Sequence, residues 1–410
     1  MTPIELRIEE LVALTSGNDV SLATRRVMDI CDDHPELHDL RAEAMRLRAD
    51  YNMSRELGAA ELGGEQGAAF AERARAIAGI IQQRAAGIAD HAGNGVRHVV
   101  FQCAQLTKSF SAGGHRFQLG PFDLELRTGE ITGVVGENGN GKTTLLRQIA
   151  GLLDQTSGAK AYPGAGEDPY AIRQTIAWIP QRSTRWHGTL MQNLRFIAAV
   201  HGITGQDNTD RVNYTLHRLG LTRFQDLTWK QLSSGYKLRF ELAKMVVWRP
   251  RILVLDEPIA NLDLQAQQLF LQDLKHLVAS PINPITVILS SQQLHEIEAI
   301  ADNIIFLKNG KPVFSGAAAS FDHDRNTNVF EIKLQSPDGS WGTFAPAQLE
   351  QALGHGNFHH IDDTGLILRL TTPRHITARE VLKAISQADL EVSYFRDIST
   401  STRKLFHQDT

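Results

Sequence analysis

Three patterns of apolar and polar positions follow one another along the chain. Over roughly the first ninety residues, Ile4, Leu6, Ile8, Leu11 and Leu14 fall mostly at helical spacing. Thr2, Pro3 and Glu5 offer an N-cap, a first-turn proline and a glutamate placed for a capping box. Further helices are expected around 20–31, from 35 to about 57 and from 65 to about 89, with a glycine-rich break at Leu62, Gly63 and Gly64. This stretch predicts a small helical bundle or hairpin. Residues 91–97 predict a linker.

The pattern then changes. Short apolar runs of strand type occur at 98–103, 117–119, 122–126, 131–135, 176–179, 252–255, 286–289 and 304–307. Helical stretches separate the later runs, which predicts an α/β unit with a largely parallel sheet. The first few strands have no helices between them, as in an antiparallel subdomain. Past residue 328, Phe330, Ile332 and Leu334 alternate with polar residues, as do Leu366, Leu368 and Leu370. Thr377 and Glu380 form a capping box that opens a helix running to about Ala388, and a strand follows at 391–395. That order suggests a small ferredoxin-like α+β domain, joined by a linker at 317–327. The expected domains are 1–93, 98–317 and 328–410.

Composition narrows the function classes. The net charge of −4 gives no polyanion-binding surface, which disfavours a nucleic-acid protein. Arginines at 41, 46, 48, 73, 75 and 84 are interleaved with acidic residues and predict a solvated face. Cys31 and Cys103, the two cysteines, suit a reducing compartment and offer neither a disulfide framework nor a metal site. His355, His359 and His360 lack a ligand pattern and are expected on a surface loop. No apolar run is long enough to span a bilayer, and the N-terminus has no signal-peptide core. Any membrane passage must come from another chain.

The chemistry begins at Gly136-Glu137-Asn138-Gly139-Asn140-Gly141-Lys142-Thr143, set between the strand run at 131–135 and a helical stretch from Thr144. This is the phosphate-loop pattern in its required strand–loop–helix setting. Gly136, Asn138, Gly139 and Gly141 lie in the loop whose backbone N–H groups are to face the phosphates, and Thr144 opens the helix whose dipole favours an anion. Lys142 is to reach the terminal phosphates and the Thr143 hydroxyl is to hold Mg²⁺. Downstream, an apolar strand ends in Asp256 and Glu257. Its position at the carboxyl edge of the sheet assigns Asp256 to Mg²⁺ and Glu257 to polarising the attacking water.

The stretch Gln231-Leu232-Ser233-Ser234-Gly235-Tyr236-Lys237, before a helix expected at 238–247, makes the resemblance specific. It resembles the signature of ATP-binding cassette (ABC) ATPases, with Ser at its third place and Tyr at its fifth. The resemblance implies a P-loop NTPase fold with an antiparallel β subdomain and a helical subdomain. It implies ATP and Mg²⁺ as cofactors, with Ser233 and Gly235 facing the γ-phosphate held by a partner subunit. By the same resemblance Gln181 is the loop glutamine that contacts Mg²⁺ and water, Phe110 stacks on adenine, and Asp263, with Asn261 and Leu262, lies in the loop along the dimer interface. Residues 302–316 resemble the closing hairpin of the cassette, and the region around Trp186 and Asn193 resembles the helical subdomain that docks on a permease. One place departs from the family. Gln292 stands where a histidine is usual, which predicts slower hydrolysis rather than none.

The last eighty residues resemble, more loosely, the C-terminal appendage of ATPase subunits of exporters, chiefly through 395–406. The implied function is the ATP-hydrolysing subunit of an exporter, cytoplasmic and peripheral on the membrane through a permease chain. Because each motif occurs once, a complete site needs a second, identical or homologous subunit. The alternative from another class is a soluble regulatory ATPase whose N-terminal helices recruit a partner protein. A DNA-repair ATPase is disfavoured, since no long coiled-coil insertion interrupts the cassette.

Overall fold

In a computed structural model, the described residues are 3–17, 19–56, 65–88, 97–112, 115–182, 184–260, 262–280, 283–322, 327–335, 344–354, 356–363, 367–388 and 390–399. The expectations at Thr2, Leu62, Gly63, Gly64, 91–96, Asn261, 323–326, His355, Leu366 and 400–406 lie outside them.

The first unit packs α1 (Pro3–Ser16), α2 (Val20–Asp33), α3 (Arg41–Glu56) and α4 (Glu65–Arg84). Leu11, Val27, Ile30, Leu47 and Ile81 meet in a common apolar core. The helix expected from residue 35 is two elements: a 3₁₀ turn over Pro35–Leu40 comes first. Proline fixes φ and suits the first turn of a helix, and α3 begins only after that turn.

The middle unit opens with β1 (Val99–Ala112) and β2 (His115–Arg127), a long antiparallel pair. The two strands read separately at 117–119 and 122–126 are one. A shift in register between Leu106 and Lys108 accommodates Gly120 and Pro121, so the ladder resumes on both sides. Next come β3 (Ile131–Val135), α5 (Lys142–Ile149), β4 (Ser157–Ala161), α6 (Pro169–Arg173), β5 (Ile176–Ile179), α7 (Leu190–Val200), α8 (Gly205–Arg218) and α9 (Ser234–Val246). The unit closes with β6 (Ile252–Leu255), α10 (Leu264–Val278), β7 (Thr286–Ser291), β8 (Asn303–Lys308) and β9 (Lys311–Ala317). Strand β4, on the far side of β1 from β2, was invisible in the sequence because its small, exposed residues carry no apolar alternation.

The main sheet runs β5-β6-β7-β3-β8-β9, parallel except at the last pair. Every residue of β3, β6 and β7 is buried, as expected when a parallel sheet is covered on both faces. In consequence the carboxyl ends of β3 and β6 lie at one edge of the sheet, where α5 and the residues after β6 begin.

The third unit comprises β10 (Thr327–Gln335), α11 (Phe344–Leu353), β11 (His360–Asp363), β12 (Leu368–Pro373), α12 (Ala378–Gln387) and β13 (Glu391–Asp397). Its antiparallel sheet has the order β11-β12-β10-β13. This is the ferredoxin-like arrangement, second-third-first-fourth. The linker expected at 317–327 starts on the last residue of β9, continues as a 3₁₀ turn over Ala318–Asp322 and ends on the first residue of β10. Among the described residues no helix is long and apolar enough to cross a membrane.

Candidate functional site

The loop after β3 turns tightly onto α5. Gly141 caps that helix at φ 96°, a left-handed conformation that favours glycine. A side chain there would strike Leu119 and Phe117. At Gly136 a Cβ would lie 2.6 Å from the Leu307 carbonyl oxygen, so β8 leaves no room for one. Asn140 ties the same loop to the β8–β9 turn by accepting the Asn309 amide at 2.9 Å.

Lys142, only 4% exposed, projects back over its own loop. Its Nζ donates to the Gly136 carbonyl at 2.7 Å and the Glu137 carbonyl at 3.2 Å, and lies 3.1 Å from Glu257 Oε1. Thr143 Oγ1 donates to Asp256 Oδ1 at 3.1 Å. The parallel register carries Asp256 to this point, since its amide still donates to Ile179 of β5.

Glu257, the next residue, has φ 45°, an uncommon conformation for a residue with a side chain and one met at functional sites. Its amide donates to Ser290 Oγ at 2.8 Å, and that hydroxyl donates to Asp256 Oδ1 at 2.8 Å. Ser290 thus fixes both carboxylate residues from the end of β7. The Glu257 carboxylate accepts two amides on one oxygen: Gln181 Nε2 and Gln292 Nε2 each reach Oε2 at 2.8 Å. Six residues from four separated places in the sequence therefore meet: Lys142, Thr143, Gln181, Asp256, Glu257 and Gln292.

Phe110 stands beside this cluster's loop rather than in the core. It is 42% exposed, with Phe117 tilted against it at 6.5 Å between centroids and the Lys108 ammonium 5.7 Å from its ring. Phe117 is also the residue against which Gly141 packs, so an open aromatic face adjoins the phosphate-type loop.

The helix expected at 238–247 begins earlier. Ser233 is its N-cap, accepting the Tyr236 amide, and Ser234 starts α9. Ser233 is exposed. Tyr236 packs its ring on Phe224 at 4.0 Å, which gives a physical reason for an aromatic at that place. Gly235 lies against Ala266, where an added Cβ would come to 3.2 Å. Asp263 caps α10 by accepting the Ala266 amide at 2.9 Å. Ser233, Gly235 and Asp263 thus lie together at the starts of two adjacent helices, as a group apart from the Glu257 cluster.

A family profile described as ABC transporter matches residues 119–260. A probable sulfate/thiosulfate import ATP-binding protein, CysA of Chlorella vulgaris, is 31% identical over 213 residues, covering 50% of this chain and 88% of that one. The methionine import ATP-binding protein MetN of Geobacillus kaustophilus is 30% identical over 277 residues, 65% of this chain and 78% of that one. The chain belongs to the ABC transporter ATP-binding proteins. The daunorubicin/doxorubicin resistance ATP-binding protein DrrA of Streptomyces peucetius is 27% identical over 287 residues, 69% of this chain and 85% of that one. ABC ATPases bind ATP and as a family hydrolyse it, and their ATP-binding subunits work as dimers with membrane permeases.

Sequence reasoning missed Ser290, whose only signal was a hydroxyl at the end of a buried strand. It also missed Glu296, which accepts the Ser291 hydroxyl beside Gln292. Glu257, Ser290, Gln292 and Glu296 line one polar recess. Among the described residues no group of three or more His, Cys, Asp or Glu side chains surrounds a common point. A metal here would therefore be held by few protein ligands together with a nucleotide.

Proposed function

We propose that this chain is the ATP-hydrolysing subunit of an ABC exporter. Two copies, or this chain and a homologue, would enclose two Mg-ATP and drive a separate membrane permease, to which the chain is attached at the inner membrane face. The observation that carries this reading is the convergence of Lys142, Gln181 and Gln292 on Glu257, next to the Thr143–Asp256 pair.

Residues 98–317 hold ATP on this reading, with 1–93 and 328–410 as accessory domains. Backbone amides from Gly136 to Thr144, among them those of Asn138, Gly139 and Gly141, and the Lys142 ammonium bind phosphate oxygens. Phe110 stacks on the base, which needs only an exposed ring face. Thr143 Oγ1 and Asp256 Oδ1 are hard oxygen donors of the kind Mg²⁺ prefers. Bound there with help from Gln181, Mg²⁺ would offset the charge on the phosphates. Glu257 accepts a proton from the attacking water, and its two glutamine neighbours orient it. Gln292 donates a hydrogen bond but carries no charge and shuttles no proton. Exposed Ser233, with Gly235 and Asp263 beside it, completes the partner subunit's site.

Export is favoured by the resistance protein DrrA, which aligns with a larger share of this chain than either import relative reported above. The test is a pair of variants. Lys142→Ala should lose ATP binding, and Glu257→Gln should accumulate an ATP-bound dimer. A Glu257→Gln chain that stays monomeric at saturating Mg-ATP overturns the shared-site reading. Affinity capture from solubilised membranes should recover a permease chain.

A further inference from the structure

Helix α2 is buried along nearly its whole length. Val27 and Ile30 belong to the core of the N-terminal helices, Arg26 and Asp33 pair with Glu10 and Arg7 of α1, and Arg25, Asp29 and Asp32 face the ATP-binding unit. Asp29 takes two hydrogen bonds from Arg218 of α8, at 2.8 and 3.1 Å, and one from the Tyr214 hydroxyl at 2.8 Å. Asp32 accepts from Arg249, just beyond α9. Arg25 reaches Asp273 in α10 at 2.6 Å.

Asp273 is 1% exposed. Its second oxygen accepts Arg239 of α9 at 3.1 Å. Helices α9 and α10 are therefore joined twice: in their first turns, where Gly235 meets Ala266, and farther along, where Arg239 meets Asp273. These are the helices that begin at Ser233 and after Asp263. The N-terminal helices supply the counter-ion that completes the second joint.

We propose that Asp273 is a positioning residue for the nucleotide site and that Arg25 holds it there. The buried Arg25–Asp273–Arg239 group locks the start of α9 to the start of α10, so that Ser233, Gly235 and Asp263 meet the partner's ATP as one rigid body. The inference rests on the shared-site reading given above. A carboxylate buried between two guanidiniums is strongly perturbed when one is removed, because its charge is then left partly uncompensated. The helices must shift or admit water, and the displacement reaches Ser233 along a rigid element. The ATP-binding loop at 136–143 lies outside this group.

The test uses the full chain with Arg25→Gln. ATP affinity, read with a fluorescent analogue, and KM should change by less than about twofold, while kcat falls by about tenfold or more, as misplacement of a site component does. Arg25→Lys, which restores the charge, should recover most of the loss. In a Glu257→Gln background, Arg25→Gln should reduce the Mg-ATP-dependent dimer. Unchanged kcat and an unchanged dimer with Arg25→Gln overturn the proposal. Failure of Glu257→Gln itself to dimerise overturns the underlying reading instead. Should Arg25→Gln not fold, Arg239→Gln decides: it should show the same loss in kcat at constant ATP affinity, and unaltered kcat sinks the proposal.

Discussion

Gln181 and Gln292 donate to the same oxygen of Glu257, each at 2.8 Å. One glutamine follows β5 and the other follows β7, and β6, which delivers Glu257, runs between those two strands. The shared acceptor thus follows directly from strand order. It also gives Gln292 work that a neutral amide can do: it orients Glu257 without titrating.

Gln292→Ala should slow single-turnover ATP hydrolysis about tenfold, less than the roughly hundredfold or more that follows loss of a donor to the reacting oxygen itself, because Gln292 acts through Glu257. Nucleotide affinity should hardly move, since Lys142 and the loop amides remain. Unaltered turnover would remove Gln292 from the mechanism.

Ser290→Ala takes a hydroxyl from both carboxylate residues at once. The Glu257 amide, buried and 2.8 Å from that hydroxyl, is left without its acceptor. The expected cost is about 1–3 kcal/mol of stability, read by chemical denaturation, together with weaker Mg²⁺-dependent ATP binding. A Ser290→Ala chain as stable as the parent would show that water replaces the hydroxyl at no cost.

Phe110→Ala should weaken ATP binding by roughly 0.5–1.5 kcal/mol, the usual worth of an aromatic stack, whereas Phe110→Trp should retain it. Equal titration curves for the parent and the alanine variant would place the base elsewhere.

Asp29→Ala strands Arg218 in a buried position. Loss of one partner from such a pair costs about 3–5 kcal/mol, so the melting temperature should fall sharply. Burial resists ionisation of Asp29, but Arg218 and Tyr214 outweigh it and bring the carboxyl to about 2, below its usual 3.8. A depressed carboxylate stabilises the fold above the unfolded value, and that contribution is lost as pH falls from 3.8 through about 2. The Asp29→Ala chain should lack this acid-dependent step in denaturation curves.

His276 acts at milder pH. Burial first, then Arg25, Arg218 and Arg26 against the opposing Asp29, bring its pKa from 6.5 to about 4. The unfolded chain therefore binds more protons between those values, so stability is complete above pH 6.5 and falls as pH drops toward 4. At pH 5 the loss should be roughly 1–2 kcal/mol. Asp33, raised to about 6 mainly by burial, has the opposite sign: its contribution is complete below 3.8 and fades as pH rises through 6. Melts of parent and His276→Gln at pH 7 and pH 5 separate the two groups. The parent should lose more on acidification, and equal losses would exclude His276 as the source.

The sequence by itself determined the local chemistry. Contiguous residues made Gly136–Thr143 legible, because the loop's function needs glycines, Lys142 and Thr143 at fixed spacing between a strand and a helix. The buried β6 run ending in Asp256 and Glu257 was equally plain, as were the helical period of the first unit and the strand–helix order of the last. Tertiary structure alone decided what depends on strand order and on packing between distant segments. Strand order placed Gln181, Ser290 and Gln292 around Asp256 and Glu257. Packing put Tyr236 on Phe224, fused two apparent strands into β2, and buried α2 against α8 and α10. No periodicity records that Arg25 will meet Asp273 or that Asp29 will meet Arg218. A charged residue on a helix reads the same in sequence whether water or an opposite charge faces it, and only the folded chain removes the water.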